Sequence, residues 1–167
     1  MNRTVGALAA VALLHGAWIG PASVVQATSS TDAGRSIARM EGGLLRRVND
    51  LRRQHGLAPL RRDRALAAAA RAYSCRMAAE GFLGHESPDG STLGDRVRAA
   101  GKPFRVIGEN LAMNENAAEP VAAAVRGWMK SETHRDNILR DEFTETGVGI
   151  CRRDTRYYFT QLFLRPP

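Results

Sequence analysis

The sequence predicts an α+β protein built as a three-layer α–β–α sandwich around a small, mostly antiparallel sheet. Three observations lead there. Apolar residues at helical spacing fill the first half of the chain after residue 36, two strand-like runs joined by a short loop close it, and strands and helices never alternate as βαβ repeats do. The 167 residues suit one domain. With 44% hydrophobic and 25% charged residues, the composition excludes disordered, collagenous and coiled-coil classes. Two cysteines are too few for a disulfide-dense scaffold or a four-thiolate zinc site.

The N-terminus carries the layout of a secretory signal peptide over residues 1–27. Arg3 supplies a positive start, Val5–Leu14 is an apolar run, and Val25-Gln26-Ala27 offers a cleavage site. His15, Gly16, Gly20 and Pro21 interrupt the run too often for a membrane anchor. Cleavage leaves 140 residues with a charge of about +6, and no later segment is apolar enough to span a bilayer. The product is expected to be secreted, periplasmic or extracellular, without integral membrane association, and a monomer.

Residues 28–35 lack periodicity and read as a flexible lead-in to a domain over residues 36–167. Met40, Leu44, Val48 and Leu51 then mark one face of a helix from Ser36 to His55, with Arg46, Arg47, Asn49 and Arg52 opposite and Gly56 as the stop. Asp63 caps a second helix, whose inner stripe is Leu66, Ala69, Ala70, Tyr73 and Met77 and whose end is Gly81. The alanines at 67–70 suit close packing of that helix on a sheet. Ser87-Pro88-Asp89-Gly90 is a turn, followed by a short helix with Leu93 and Val97 inward. Val106–Ala112 is a strand. Pro120 begins a helix with Val121, Val125 and Trp128 on one face. Ser131 precedes a brief helix carrying His134, Ile138 and Leu139, and Thr146–Cys151 and Tyr157–Leu164 form an antiparallel hairpin. Asn110 and Gln161 are candidates for buried structural amides, and Trp128, Ile138, Leu139, Phe143 and Val148 for core.

Six strings occur in a telling order: His85-Glu86-Ser87-Pro88, Gly108-Glu109-Asn110, Trp128-Met129-Lys130-Ser131, His134-Arg135-Asp136-Asn137, Gly147-Val148-Gly149 and Tyr157–Phe163. Together they resemble the CAP superfamily of cysteine-rich secretory proteins, antigen 5 and pathogenesis-related proteins, and most closely its bacterial single-domain, SCP-like extracellular branch. The resemblance runs from Ile37 to Phe163. It implies an α–β–α sandwich with a surface cleft holding two histidines and two acids. His85, Glu109 and His134 match three of the four. The fourth position is Ser131, with Glu132 beside it, so the second acid of eukaryotic relatives is replaced.

A neutral imidazole is a good ligand for zinc or another divalent metal once its second nitrogen has a hydrogen-bond partner. His85 and His134 are therefore the candidate metal ligands. Glu109, Ser131 and Glu132 are candidates to support them, and Glu109 is also the candidate catalytic group. The alternative is that His85 and Glu109 only tie loop to sheet. For Ser131 an N-cap, its hydroxyl accepting from a backbone N–H near His134, is preferred to a nucleophile, because no Gly-x-Ser-x-Gly elbow is present. Cys75 and Cys151 are expected to form a disulfide once exported, free buried thiols being the alternative. The arginine pairs are dispersed and aromatics make up 6%, which argues against specific nucleic-acid binding.

Three functions follow from these residues and the resemblance. The first is a secreted binding domain whose cleft takes a divalent metal or a small lipid or cell-envelope ligand. The second is a metal-assisted hydrolase of extracellular or envelope substrates. The third is a structural or adhesion module with a vestigial cleft. The first is preferred, since the chain supplies no assembled nucleophile, base and oxyanion stabiliser; whether it is an enzyme stays open at this point.

Overall fold

A computed structural model describes the backbone of residues 22–167 and the side chains from Asp32 onward. Residues 1–21, most of the expected signal peptide, lie outside the described residues. The elements are α1 (Ala22–Gln54), β1 (Arg61–Arg62), α2 (Arg64–Glu80), α3 (Leu93–Ala99), β2 (Val106–Glu115), α4 (Pro120–Lys130), α5 (Glu132–Leu139), β3 (Glu145–Arg153) and β4 (Arg156–Arg165). The sheet order is β1-β3-β4-β2, with β1 parallel to β3 and the other pairs antiparallel. This is the expected three-layer architecture.

Strand alternation sorts the core. Val148, Ile150, Phe159 and Phe163 point to one side and pack with Leu44, Val48, Trp128 and Ile138 from α1, α4 and α5. Leu162, Leu164 and Tyr158 point to the other side and meet Leu66, Ala70, Tyr73 and Met77 of α2. Glycine alternates with apolar residues in Gly147-Val148-Gly149, so the α2 side of β3 carries no side chain there. A Cβ added at Gly147 would lie well inside 3.0 Å of the backbone of Leu66 and Ala67, and one at Gly149 equally close to Ala70 and Arg71. Helix backbone thus rests directly on strand backbone. Ala67 and Ala70 are the alanines that permit the approach, whereas Ala69 is only half-buried. Ser74 donates to the Gly149 carbonyl at 3.0 Å, and the Cys75–Cys151 disulfide clamps the same seam. Asp63 caps α2 as expected, accepting from Leu66 N–H at 2.9 Å, and Gly81 ends it in the left-handed region at φ 74°.

Three details of α1 differ from the sequence reading. The helix continues through residues 28–35 instead of fraying, with Asp32 and Arg35 paired one turn apart. Asp32 to Arg35 are exposed, so no apolar periodicity marked them, and each added residue needs only one further backbone bond to extend a helix already formed. Arg52 is buried instead of facing solvent: its guanidinium donates to the carbonyls of Ala58, Ile138, Arg140 and Phe143. Asn49 is half-buried and holds both backbone groups of Leu60, at 2.8 and 3.1 Å. Glu41, a third polar residue on the inner face, accepts from Arg71 and from Ile150 N–H at 3.1 Å. The two-residue β1, beside β3, is too short to leave a sequence signal.

Gly149→Ala should cost at least about 3 kcal/mol, since neither backbone at the seam can give way as a side chain would. Urea denaturation checks this: a midpoint within error of the parent would mean that α2 can lift from β3 without loss.

Candidate functional site

β2 lies at the edge of the sheet, and its consecutive residues Glu109 and Asn110 point to opposite sides. Glu109 faces the α2 layer. Its side chain is only 1% exposed, and it accepts from Arg96 Nη2 at 2.9 Å and from His85 Nδ1–H at 2.8 Å. Asn110 faces the α4–α5 layer, donates to the His134 carbonyl at 2.9 Å and accepts from Asn137 at 2.9 Å. One strand therefore anchors both histidine-bearing segments, from the two faces of the sheet.

The loop carrying His85 is pinned at several points. Tyr73 Oη donates to the Gly84 carbonyl at 2.6 Å, and Arg96 Nη2 to the His85 carbonyl at 3.0 Å. Ser91 N–H bonds Asp89 and, with Arg76 beside it, holds that carboxyl down at about 2. Arg96 is the hub, stacking on the Tyr73 ring at 3.5 Å while it neutralises Glu109. α3 aims it, and that short helix is fixed by a capping box: Thr92 accepts from Asp95 N–H at 3.3 Å, and Asp95 accepts from Thr92 N–H at 3.0 Å. Sequence reasoning passed over Arg96, since nothing separates it from the chain's other arginines. The Thr-x-x-Asp capping pattern was the one available hint to its placement.

Ser131 occupies the N-cap position of α5, and its carbonyl accepts from Arg135 N–H at 2.9 Å. Its hydroxyl does not cap the helix, contrary to expectation. It lies 2.8 Å from His134 Nδ1 instead. Both imidazoles are thus engaged through Nδ1, His85 by Glu109 and His134 by Ser131. Glu132 does not join them. It is exposed and lines a separate depression with Asp136, Asn137 and Arg140.

The rings differ in charge preference. The hydrogen bond that His85 donates to Glu109 raises the His85 pKa above 6.5, although the ring is 61% exposed and Arg96 opposes the shift. Burial lowers that of His134, and the nearby His85 charge lowers it further. His85 is thus near enough to His134 to bear on its charge. A cavity of about 250 Å³ lies beside His134 and Ser131, between the β2 edge and α4; His85 is outside its lining.

The donors fit a metal only in part. Two imidazoles suit zinc, but Glu109 is already held by a guanidinium, and no three His, Cys, Asp or Glu side chains converge on an ion-sized site among the described residues.

Residues 45–163 match the family model described as the cysteine-rich secretory protein family, CAP. The chain belongs to that family. It is 35% identical over 144 residues to the uncharacterized protein YkwD of Bacillus subtilis, a match covering 86% of this chain and 54% of that protein. It is also 35% identical over 125 residues to the uncharacterized membrane protein YlbC of the same organism, covering 75% and 34%. The chain therefore spans about half or less of these relatives. A crystal structure of an extracellular SCP-domain protein from Bacillus anthracis aligns at TM-score 0.65 and 34% identity, over 77% of this chain and 42% of that one. An outer surface protein of Borrelia burgdorferi shares the fold at TM-score 0.70 and 20% identity, over 77% and 94%. No helix among the described residues is long and apolar enough to cross a membrane.

The pKa shifts predict two separate imidazole titrations by NMR, His85 above 6.5 and His134 below it. The charged His85 contributes stability that is complete below 6.5 and lost as pH rises through its raised value. The neutral His134 contributes stability that is complete above 6.5 and lost as pH falls through its lowered value. In Glu109→Gln the His85 titration should move down; an unmoved His85 would contradict the carboxylate's role.

Proposed function

We propose that this CAP domain is an extracellular binding module that captures its ligand through two imidazoles, without a covalent or hydrolytic step of its own. The observation that carries this reading is the shared use of Nδ1. Glu109 must accept from His85 Nδ1–H, because an ionised carboxylate has no hydrogen to give. Ser131 accepts likewise from His134 in this reading, which fixes the tautomer and leaves Nε2 of each ring for a ligand.

A divalent metal such as zinc is the first ligand to test, its remaining positions left to water or to a second, envelope-derived or lipid ligand. Two imidazoles make such a site weak and exchangeable, in keeping with capture and not with a resident cofactor. Glu109 serves as positioning residue for His85 and is not a metal ligand, given the guanidinium on it. The extracellular assignment draws support from the Bacillus anthracis and Borrelia proteins, whose descriptions place them outside the cell or on its outer surface, and from the disulfide, which suits an oxidising compartment. The domain acts as a monomer in this proposal.

Calorimetric titration with zinc tests it. The parent should bind, His134→Ala should lose the heat of binding, and Ser131→Ala should weaken affinity by about 10-fold or more through loss of the tautomer lock. Equal binding by the parent and by the double variant His85→Ala/His134→Ala would overturn the reading.

A further inference from the structure

We propose that the β2 edge beside His134 takes an extended peptide segment by strand addition, its backbone bonded to Met113 and one of its side chains in the cavity under Trp128. The proposal rests on the cleft being a binding site and is independent of metal.

In the β2–β4 ladder, alternate residues turn their backbone N–H and C=O toward β4 and the others turn them outward. Asn116 N–H donates to Thr155 in continuation of the ladder, so the odd-numbered residues of β2 face out. The helical layer covers this edge part of the way. Asn137 donates to the Glu109 carbonyl at 3.2 Å and Trp128 Nε1 to the Leu111 carbonyl at 2.8 Å. Met113 is the next outward residue, and its backbone has no such cap among the described residues. Glu115, the last outward residue of β2, has none either, so the cover ends at Leu111, two rungs before the end of the strand.

The cavity opens at the Met113 rung. Its 250 Å³ is bounded by Leu111, Met113, Asn114, Gly127, Trp128 and His134, and is smaller than the roughly 300–1,000 Å³ of small-molecule pockets. That size matches a single side chain of a longer ligand. Gly127 stands inside α4, where glycine costs about 1 kcal/mol against alanine. A Cβ there would meet nothing within 4 Å, so packing does not require the glycine, and this part of the cavity lining carries no side chain. Asn114 Oδ1, in the same wall, is buried without a hydrogen-bond donor among the described residues. Met113 is 42% exposed, and Leu83, in the segment leading to His85, is 51% exposed; they are the exposed large apolar side chains of the described surface. A strand laid on Met113 gains two backbone hydrogen bonds and a side-chain pocket, the combination by which strand addition supplies both affinity and selectivity.

The test uses a pool of randomised, end-capped hexapeptides passed over the immobilised protein, with retained sequences read by mass spectrometry. The parent should retain a subset of the pool, and adding those peptides to ¹⁵N-labelled protein should shift the Met113 amide. Met113→Pro removes the outward N–H at an edge where proline is tolerated, and should weaken binding at least tenfold. Gly127→Phe fills open space and should do the same with the fold intact, so it decides the matter if the proline variant does not fold. No retention by the parent, or retention unchanged in Gly127→Phe, overturns the proposal. Zinc titration of these variants keeps the two readings apart, because strand addition can fail while the imidazoles still bind metal.

Discussion

Everything in the molecule is set by how closely α2 lies on β3. With no Cβ at Gly147 or Gly149, the two backbones touch, and the α2 layer sits lower on the sheet than side-chain-mediated packing allows. Tyr73 and Arg76 ride on that helix. Their bonds to Gly84 and Asp89 carry the closeness of the seam into the loop that holds His85. The disulfide and the Ser74 bond to Gly149 lie on the same contact, so a covalent, a polar and a steric restraint coincide there. By the chain-entropy estimate a closed loop of 76 residues adds about 4 kcal/mol, comparable with a large share of the stability of a small domain.

Around the site, buried charge is handled by pairing. Glu109 is nearly inaccessible, yet it has both a guanidinium and an imidazole within hydrogen-bond distance. Removing one partner of such a pair costs about 3–5 kcal/mol, because the other is left charged in a dry environment. Arg96 therefore belongs as much to the architecture as to the cleft. Its position over Tyr73 joins loop, helix and strand at one point. His134 stands in a different setting, shielded and next to a hydroxyl, so two chemically identical side chains enter the same neighbourhood with opposite protonation tendencies.

Much of this was legible in the chain. The layer order, the cap at Asp63, Pro120 at the first position of its helix, the closing hairpin and the Cys75–Cys151 pairing all follow from local rules of capping, turn chemistry and compartment. The same holds for the burial of Asn110 and Gln161. Local rules failed where a polar side chain serves a distant backbone. Arg52 looked like one more solvated arginine, because its four carbonyl partners lie in segments that only the fold brings near. Ser131 satisfied the pattern of a cap, but a ring one turn ahead competes for the same hydroxyl, and spacing alone does not rank those two partners. Glu132 sits beside Ser131 in sequence, yet helical rotation carries it to another side of α5.

The placement of Glu109 and Asn110 on opposite faces of one strand has a consequence for how this domain tolerates change in length. A single-residue insertion or deletion within β2 ahead of them would exchange their sides, presenting a carboxylate to the apolar α4–α5 layer and an amide to Arg96. Both histidine segments would lose their anchor in one event, without any alteration of the histidines themselves. The count of residues between the start of this strand and Glu109 admits no drift.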